Sequence, residues 1–278
     1  MLKNKTITFL GAGSMAEAII AGLVRLQVVE PNQIIATNLS DQEKLNYLEV
    51  EYGIRTNSDR EEAVKEGDIV VLAMKPKAVK EAIEDVRQNT NPTQLFVSVL
   101  AGIPTGYIED LLGHKAGVIR TMPNTSAKVG ESVTAITKGS FADDQQLHEV
   151  EKLFSAVGTV VVVNEEKLDA ATGLAGSGPA YFYYLIEAME KAAEKAGLSQ
   201  EEASAFISQT VVGVGKRLQT TTKTSKELYE EVMSPNGTTE AGMKVLQERH
   251  SQEAMIDAIT NAITRSKELG AVFSNTKK

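Results

Sequence analysis

The sequence predicts an α/β chain, with an N-terminal doubly wound sheet over residues 1–164 and an all-α domain over residues 165–278. Three observations carry that expectation. Strand-length apolar runs alternate with helix-length amphipathic stretches up to residue 164. The first of those strands breaks into a glycine turn immediately before a helix. From residue 165 onward only helical spacing remains.

Composition narrows the function classes. Against 37 acidic residues stand 29 basic ones, for a net charge of −8, and no long basic run supplies the electrostatic footprint of a nucleic-acid binder. With no cysteine, disulfides, thiolate metal sites and cysteine nucleophiles are excluded. His114, His148 and His250 lie far apart, none in metal-ligand spacing, so no metal site is expected and all three are expected at the surface. The N-terminus runs into the first strand without the features of a secretory signal. The nearest long apolar run, residues 158–163, is strand-sized, so no membrane segment is expected and the location should be cytoplasmic.

The first strand and turn read Thr6-Ile7-Thr8-Phe9-Leu10-Gly11-Ala12-Gly13-Ser14-Met15-Ala16. In a G-x-G-x-x-G/A pattern Gly11 allows the tight turn, Gly13 lets backbone approach a pyrophosphate, and Ala16 lets helix pack on strand. A glycine turn also ends strands for purely structural reasons. Here a strand precedes it, and residues 17–27 follow with Ile19, Ile20, Leu23, Val24 and Leu26 at helical spacing, which favours a Rossmann-type dinucleotide site. Residues 33–38 form the second strand and 41–52 the next helix. An NAD site typically places an acid at the end of that strand, whereas this chain has Asn38, Leu39 and Ser40, an uncharged end that tolerates a 2′-phosphate and favours NADP. Asn38 and Ser40 could equally cap the following helix.

Residues 54–56 suit a short strand, 58–66 a short helix, and 68–74 a strand covered on both faces. That strand ends in Lys75-Pro76, where ligands of open sheets bind, although a strand-end lysine is often only solvated. Residues 95–100 make another strand, closed by Ala101-Gly102-Ile103-Pro104, which starts a helix reaching Leu112. Residues 117–120 continue the sheet into the polar loop Thr121-Met122-Pro123-Asn124-Thr125. Strands at 132–137 and 159–163, separated by a helix at 143–156, complete a sheet of roughly eight strands.

Beyond it, helices are expected at 165–174, 179–196, 199–218, 225–233, 239–248 and 252–269. The second is apolar over much of its circumference, with Tyr184, Leu185, Ala188, Met189 and Ala192. It belongs either in a subunit interface or at the centre of its own domain. Two glycine-rich segments interrupt these helices. Gly173-Leu174-Ala175-Gly176-Ser177-Gly178-Pro179-Ala180 sets small residues before a proline-started helix. Ser234-Pro235-Asn236-Gly237-Thr238-Thr239 opens the 239–248 helix, presenting free N–H groups and the positive end of a dipole, a fit for a small carboxylate or simply a capped helix after a β-turn.

These segments, with Ala73-Met74-Lys75-Pro76, Ser98 and Ala101-Gly102-Ile103, Arg120-Thr121-Met122-Pro123-Asn124, Thr172-Gly173-Leu174 and Gly242, together resemble one family, pyrroline-5-carboxylate reductase, in its order and over nearly the whole chain. The resemblance implies an oxidoreductase of proline biosynthesis that passes hydride from NAD(P)H to the C=N carbon of 1-pyrroline-5-carboxylate. It implies a helical C-terminal domain that interlocks with a second subunit, active sites shared between subunits, and assembly of such homodimers into larger rings, up to a decamer of five dimers. By similarity Ser234, Gly237, Thr238 and Thr239 hold the substrate. Thr239 is the catalytic candidate, too weak an acid to protonate the imine outright but placed to orient the ring. Gly11, Ala12, Gly13, Ser14, Met15, Ala73, Met74, Lys75, Pro76 and Ala101 contact the cofactor, with Asn38 and Ser40 near its adenosine ribose. Two positions depart from the family pattern. Leu39 stands where many members have an arginine suited to a 2′-phosphate, which weakens the preference for NADPH over NADH. Arg60 stands where many have an asparagine. The rivals are an NADP-dependent reductase of another small imino or hydroxy acid, for which the helices offer no isolated acid/base lysine, and a non-catalytic nucleotide-binding paralogue, in which the 234–239 loop need not be intact.

Overall fold

The computed structural model describes residue 2 and residues 4–274. By internal contacts the chain forms two compact units, one of the residues before Gly178 with those from Asn261 onward, the other of residues 178–260.

The first unit is built on an eight-stranded sheet. In chain order its elements are β1 (Ile7–Leu10), α1 (Ser14–Arg25), β2 (Ile34–Thr37), α2 (Gln42–Tyr52), β3 (Arg55–Thr56), α3 (Arg60–Glu66), β4 (Ile69–Leu72), α4 (Val79–Val86), β5 (Leu95–Ser98), α5 (Thr105–Leu112), β6 (Gly117–Met122), β7 (Ser132–Lys138), α6 (Asp144–Phe154) and β8 (Gly158–Val162). The spatial order is β3-β2-β1-β4-β5-β6-β7-β8, with the sequence order reversing at β1. Ile7 sits opposite Ile34 on one side and Ile69 on the other. β1, β2, β4 and β5 are buried at every position, as expected of strands covered on both faces by helices.

Two features differ from the sequence expectation. The β6–β7 pair is antiparallel, because only a 3₁₀ turn, Thr125–Val129, joins the strands and no crossover helix carries the chain back. α4 was not expected; Val79, Ala82, Ile83 and Val86 pack inward from it at helical spacing. Local chemistry explains the other helix starts. The Asp41 carboxylate accepts the Lys44 amide at 2.9 Å, Asp59 caps α3, and Asp143 with Gln146 forms a capping box on α6.

His114 is not a surface residue. It is half-buried, its Nε2 lies 2.8 Å from Thr90 Oγ1, and its enclosed Nδ1 has no hydrogen-bond partner. Burial holds its pKa below the usual histidine value. A histidine depressed in the folded state adds stability above its unfolded pKa, and that contribution is lost as pH falls through the folded value. Acidification from about pH 7.5 to about pH 5.5 should therefore lower Tm less in His114→Gln than in the parent protein, read from thermal melts at both pH values.

Further on lie α7 (Leu168–Ala171), a π-helical turn (Thr172–Gly176), α8 (Gly178–Lys195), α9 (Gln200–Thr220), α10 (Ser225–Val232), α11 (Thr238–Glu248) and α12 (Ser251–Ser274). Capping boxes at Ser199/Glu202 and Thr224/Glu227 start α9 and α10. α8 is not at the centre of its unit. Phe182, Tyr183 and Tyr184 are each more than 60% exposed, with Leu185 and Met189 also at the surface, so the apolar circumference is not buried within the unit itself. No helix among the described residues is long and apolar enough to cross a membrane.

Candidate active site

In the first unit, β1 ends against the turn that follows β4. Gly11 has φ +109°, and a Cβ there would lie 2.7 Å from the carbonyl carbon and oxygen of Ala73 and 2.8 Å from the Met74 nitrogen. Only glycine allows this backbone-on-backbone approach. Gly13 is the N-cap of α1 and no side chain caps the helix, so the first-turn amides are left for a ligand. A Cβ on Gly13 would meet nothing within 4 Å, so the space over this helix start is open to a group such as a pyrophosphate. Glu17, in the same turn, would repel phosphate if its charge were free. Lys44 binds it at 2.5 Å, and burial, which pushes the Glu17 pKa up, is outweighed by Lys44 with Tyr47 and Tyr52, so the group ends below the usual carboxylate range and stays a paired anion.

A cavity of about 420 Å³ opens beside the turn. Of the sequence-predicted cofactor residues it is lined by Gly11, Ala12, Gly13, Asn38, Ser40, Ala73, Met74 and Lys75, whereas Ser14, Met15, Pro76 and Ala101 are not in its wall. Ser14 and Met15 instead form the first turn of α1, Pro76 starts a 3₁₀ turn before α4, and Ala101 lies in the turn after β5. Leu39 and Arg60, the two departures from the family pattern, line it as well, and Ser58 and Glu81, which the sequence did not point to, come in from the start of α3 and from α4. The Arg60 guanidinium donates to the Asp85 carboxylate of α4, which orients it at the wall. Asn38 Oδ1 accepts the amides of Ser40 at 3.2 Å and Asp41 at 3.3 Å, so Asn38 shapes the corner while Asp41 caps α2. Leu39 is 74% exposed at the same corner.

The 234–239 segment lies in the second unit. Gly237 N–H donates to Ser234 O at 2.9 Å, Asn236 takes φ +60°, and Gly237 is the N-cap of α11 with no side-chain cap. A Cβ on Gly237 would stand 2.4 Å from Ser234 Oγ and 2.9 Å from Ser234 O, so the serine hydroxyl occupies the space a side chain at 237 would take. Ser234 and Thr238 are exposed and Thr239 is half-buried. One turn thus gathers all four predicted substrate residues around the uncapped start and positive dipole end of α11, where the Glu240 carboxylate accepts the Asn236 amide at 2.7 Å. α11 starts at Thr238, one residue earlier than its spacing predicts. Among the described residues no group of three or more His, Asp or Glu could hold a metal ion.

Residues 6–102 match a family model described as NADP oxidoreductase, coenzyme F420-dependent, and residues 165–269 one described as pyrroline-5-carboxylate reductase dimerisation. The chain is 42% identical to pyrroline-5-carboxylate reductase 1 of Bacillus spizizenii over 98% of its own length and 92% of that protein's. It is 37% identical to the Arabidopsis thaliana pyrroline-5-carboxylate reductase over 95% of each. Among solved structures it superimposes on the Coxiella burnetii reductase with a TM-score of 0.88 at 35% identity, covering 96% of this chain and 99% of that one. The Plasmodium falciparum enzyme, solved with NADP bound, gives a TM-score of 0.89 at 25% identity with the same coverage. A nicotinamide-binding sheet, a dimerisation region and similarity over nearly the full length agree, and the chain belongs to the pyrroline-5-carboxylate reductase family of homo-oligomeric oxidoreductases.

Proposed function

We propose that the chain's reaction, the NAD(P)H-dependent reduction of 1-pyrroline-5-carboxylate to L-proline, uses two uncapped helix starts, the one at Gly13 for the cofactor and the one at Gly237 for the substrate. The observation that carries this assignment is the second of them. Ser234, Thr238 and Thr239 supply hydroxyls around the free amides of α11, which suits a small carboxylate with a ring nitrogen beside it.

When bound, the nicotinamide supplies the hydride. The protein does the rest by placement. Gly11, Gly13 and the first-turn amides of α1, with Ser14 and Met15, hold the pyrophosphate; Ala73, Met74, Lys75, Pro76 and Ala101 border the chain of the cofactor beyond it. Thr239 donates a hydrogen bond toward the imine nitrogen and orients the ring while the α11 amides bind the carboxylate. No strong acid is needed from the protein, because the substrate arrives protonated or takes its proton from water. Holding donor and acceptor carbons at reacting distance away from solvent accounts for most of the acceleration.

We assign the dinucleotide role to residues 1–164 and the substrate and dimerisation role to residues 165–278, although by contacts the residues before Gly178 and those from Asn261 onward group with the sheet. The exposed aromatic face of α8 supports a dimer with interlocked helices and a site shared between subunits, which the family resemblance extends to a decamer of five dimers. A cytoplasmic location accompanies this biosynthetic role. NADPH is the preferred reductant, since the β2 end at Asn38, Leu39 and Ser40 carries no carboxylate to bind a ribose diol, and the hydroxyls of Ser40 and Ser58, beside the Arg60 guanidinium that Asp85 holds, suit a 2′-phosphate. Leu39→Arg, adding a second cation at that corner, should raise the NADPH/NADH ratio of kcat/KM roughly tenfold. An unchanged ratio in the two parallel assays would move the 2′-phosphate away from it.

A further inference from the structure

Arg120 lies near the end of β6 and is 4% exposed. Its Nη1 is 3.5 Å from Glu165 Oε1 and its Nη2 is 3.9 Å from Asp169 Oδ1, while Nε and Nη2 have no hydrogen-bond partner. A buried arginine paired at such distances adds little net stability. Its two carboxylates, however, are tied elsewhere. Glu165 accepts the Thr105 amide at 2.8 Å and the Thr105 hydroxyl at 2.7 Å, fixing the start of α5 and so the turn of Ala101, Gly102, Ile103 and Pro104. Asp169, on α7, accepts Ser266 Oγ of α12 at 2.6 Å. The same turn meets the same helix again, because a Cβ on Gly270 would stand 2.9 Å from Gly102 O. One residue beyond Arg120, Thr121 Oγ1 donates to Ser98 O at 3.0 Å, coupling the ends of β5 and β6.

A glycine turn after β1 places the pyrophosphate, and the end of β2 takes the adenosine ribose. With β2 on one side of β1 and β4, β5 and β6 on the other, a dinucleotide bound this way would direct its reactive ring toward the ends of the latter strands. We propose that Arg120 is a positioning residue for hydride transfer, holding the 101–104 turn in place through Glu165 and tying β6, which leads directly into the 122–124 loop, to α7 through Asp169. This rests on the site assignment above. It touches neither substrate nor cofactor; it sets the walls against which the ring is held.

The test compares the full-length wild-type enzyme with Arg120→Met in four readings: kcat with NADPH, NADPH affinity by fluorescence, the deuterium isotope effect on kcat with NADPH labelled at the transferred position, and amide hydrogen exchange without cofactor. Expected are a fall in kcat of about tenfold or more with NADPH affinity kept within about twofold, an isotope effect larger than wild type, and faster exchange confined to residues 99–104 and 121–124. Unchanged kcat overturns the proposal whatever the exchange pattern, as does a loss of activity accompanied by faster exchange throughout the sheet. Should Arg120→Met not fold, Glu165→Gln carries the same test, with the same signature expected at smaller amplitude and the same results overturning it. A wild-type enzyme that does not reduce 1-pyrroline-5-carboxylate would sink the site assignment instead, and the exchange reading separates the two failures.

Discussion

Gly11→Ala should abolish measurable NADPH binding and lower Tm by several degrees. The added methyl carbon would lie 2.7 Å from Ala73 backbone atoms at a φ of +109°. Strain of this kind costs about 1–3 kcal/mol even where the backbone can relax, and relaxation here means parting the β1 and β4 turns that form the cofactor cavity. Gly13→Ala provides the contrast. Its Cβ meets nothing within 4 Å and its φ is ordinary, at −73°, so Tm should stay within about a degree while NADPH affinity drops at least tenfold, because the methyl occupies the place of the pyrophosphate. Titrating both variants by fluorescence alongside thermal melts checks the pair. If Gly13→Ala bound NADPH as wild type, the phosphates would not sit on α1.

Thr239→Ala should lower kcat by about a hundredfold and leave NADPH affinity near wild type, the usual scale for removing one donor aimed at a reacting group. Thr239 is half-buried in the first turn of α11, so the substitution removes a hydroxyl without opening a core cavity, and Tm should hardly move. Thr239→Ser restores the donor and should recover much of the rate. Equal loss in the serine and alanine variants would point to the methyl group as packing, and an unchanged kcat in the alanine variant would take Thr239 out of the reaction.

How far the sequence discloses this arrangement depends on the range of the signal. β1, β4 and β5 are legible because strands covered on both faces read as continuous apolar runs. The direction of β7 is not, since parallel or antiparallel pairing is decided by what joins the strands, and the 3₁₀ turn at Thr125–Val129 leaves no periodic trace. α4 has an inward spacing of Val79, Ala82, Ile83 and Val86, but at eight residues it is short and follows a strand-end proline, which hides it. The glycine turn and the 234–239 loop are each contiguous in sequence, so their residues could be named from it. Leu39 and Arg60 could be placed there only through the family resemblance, whereas Ser58 and Glu81 converge on the cavity through the packing of α3 and α4, and no local pattern announces them. The enclosure of His114 beside Thr90 is long-range in the same way.

The most direct test is the loss of reduced-nicotinamide absorbance when purified protein meets 1-pyrroline-5-carboxylate, with NADPH and NADH run in parallel and L-proline measured as product. Substrate-dependent oxidation with proline formed in equal amount, faster at low concentration with NADPH, is the expected result. Nicotinamide binding without oxidation of either cofactor by this substrate would contradict the central claim and leave the 234–239 loop to a different imino acid.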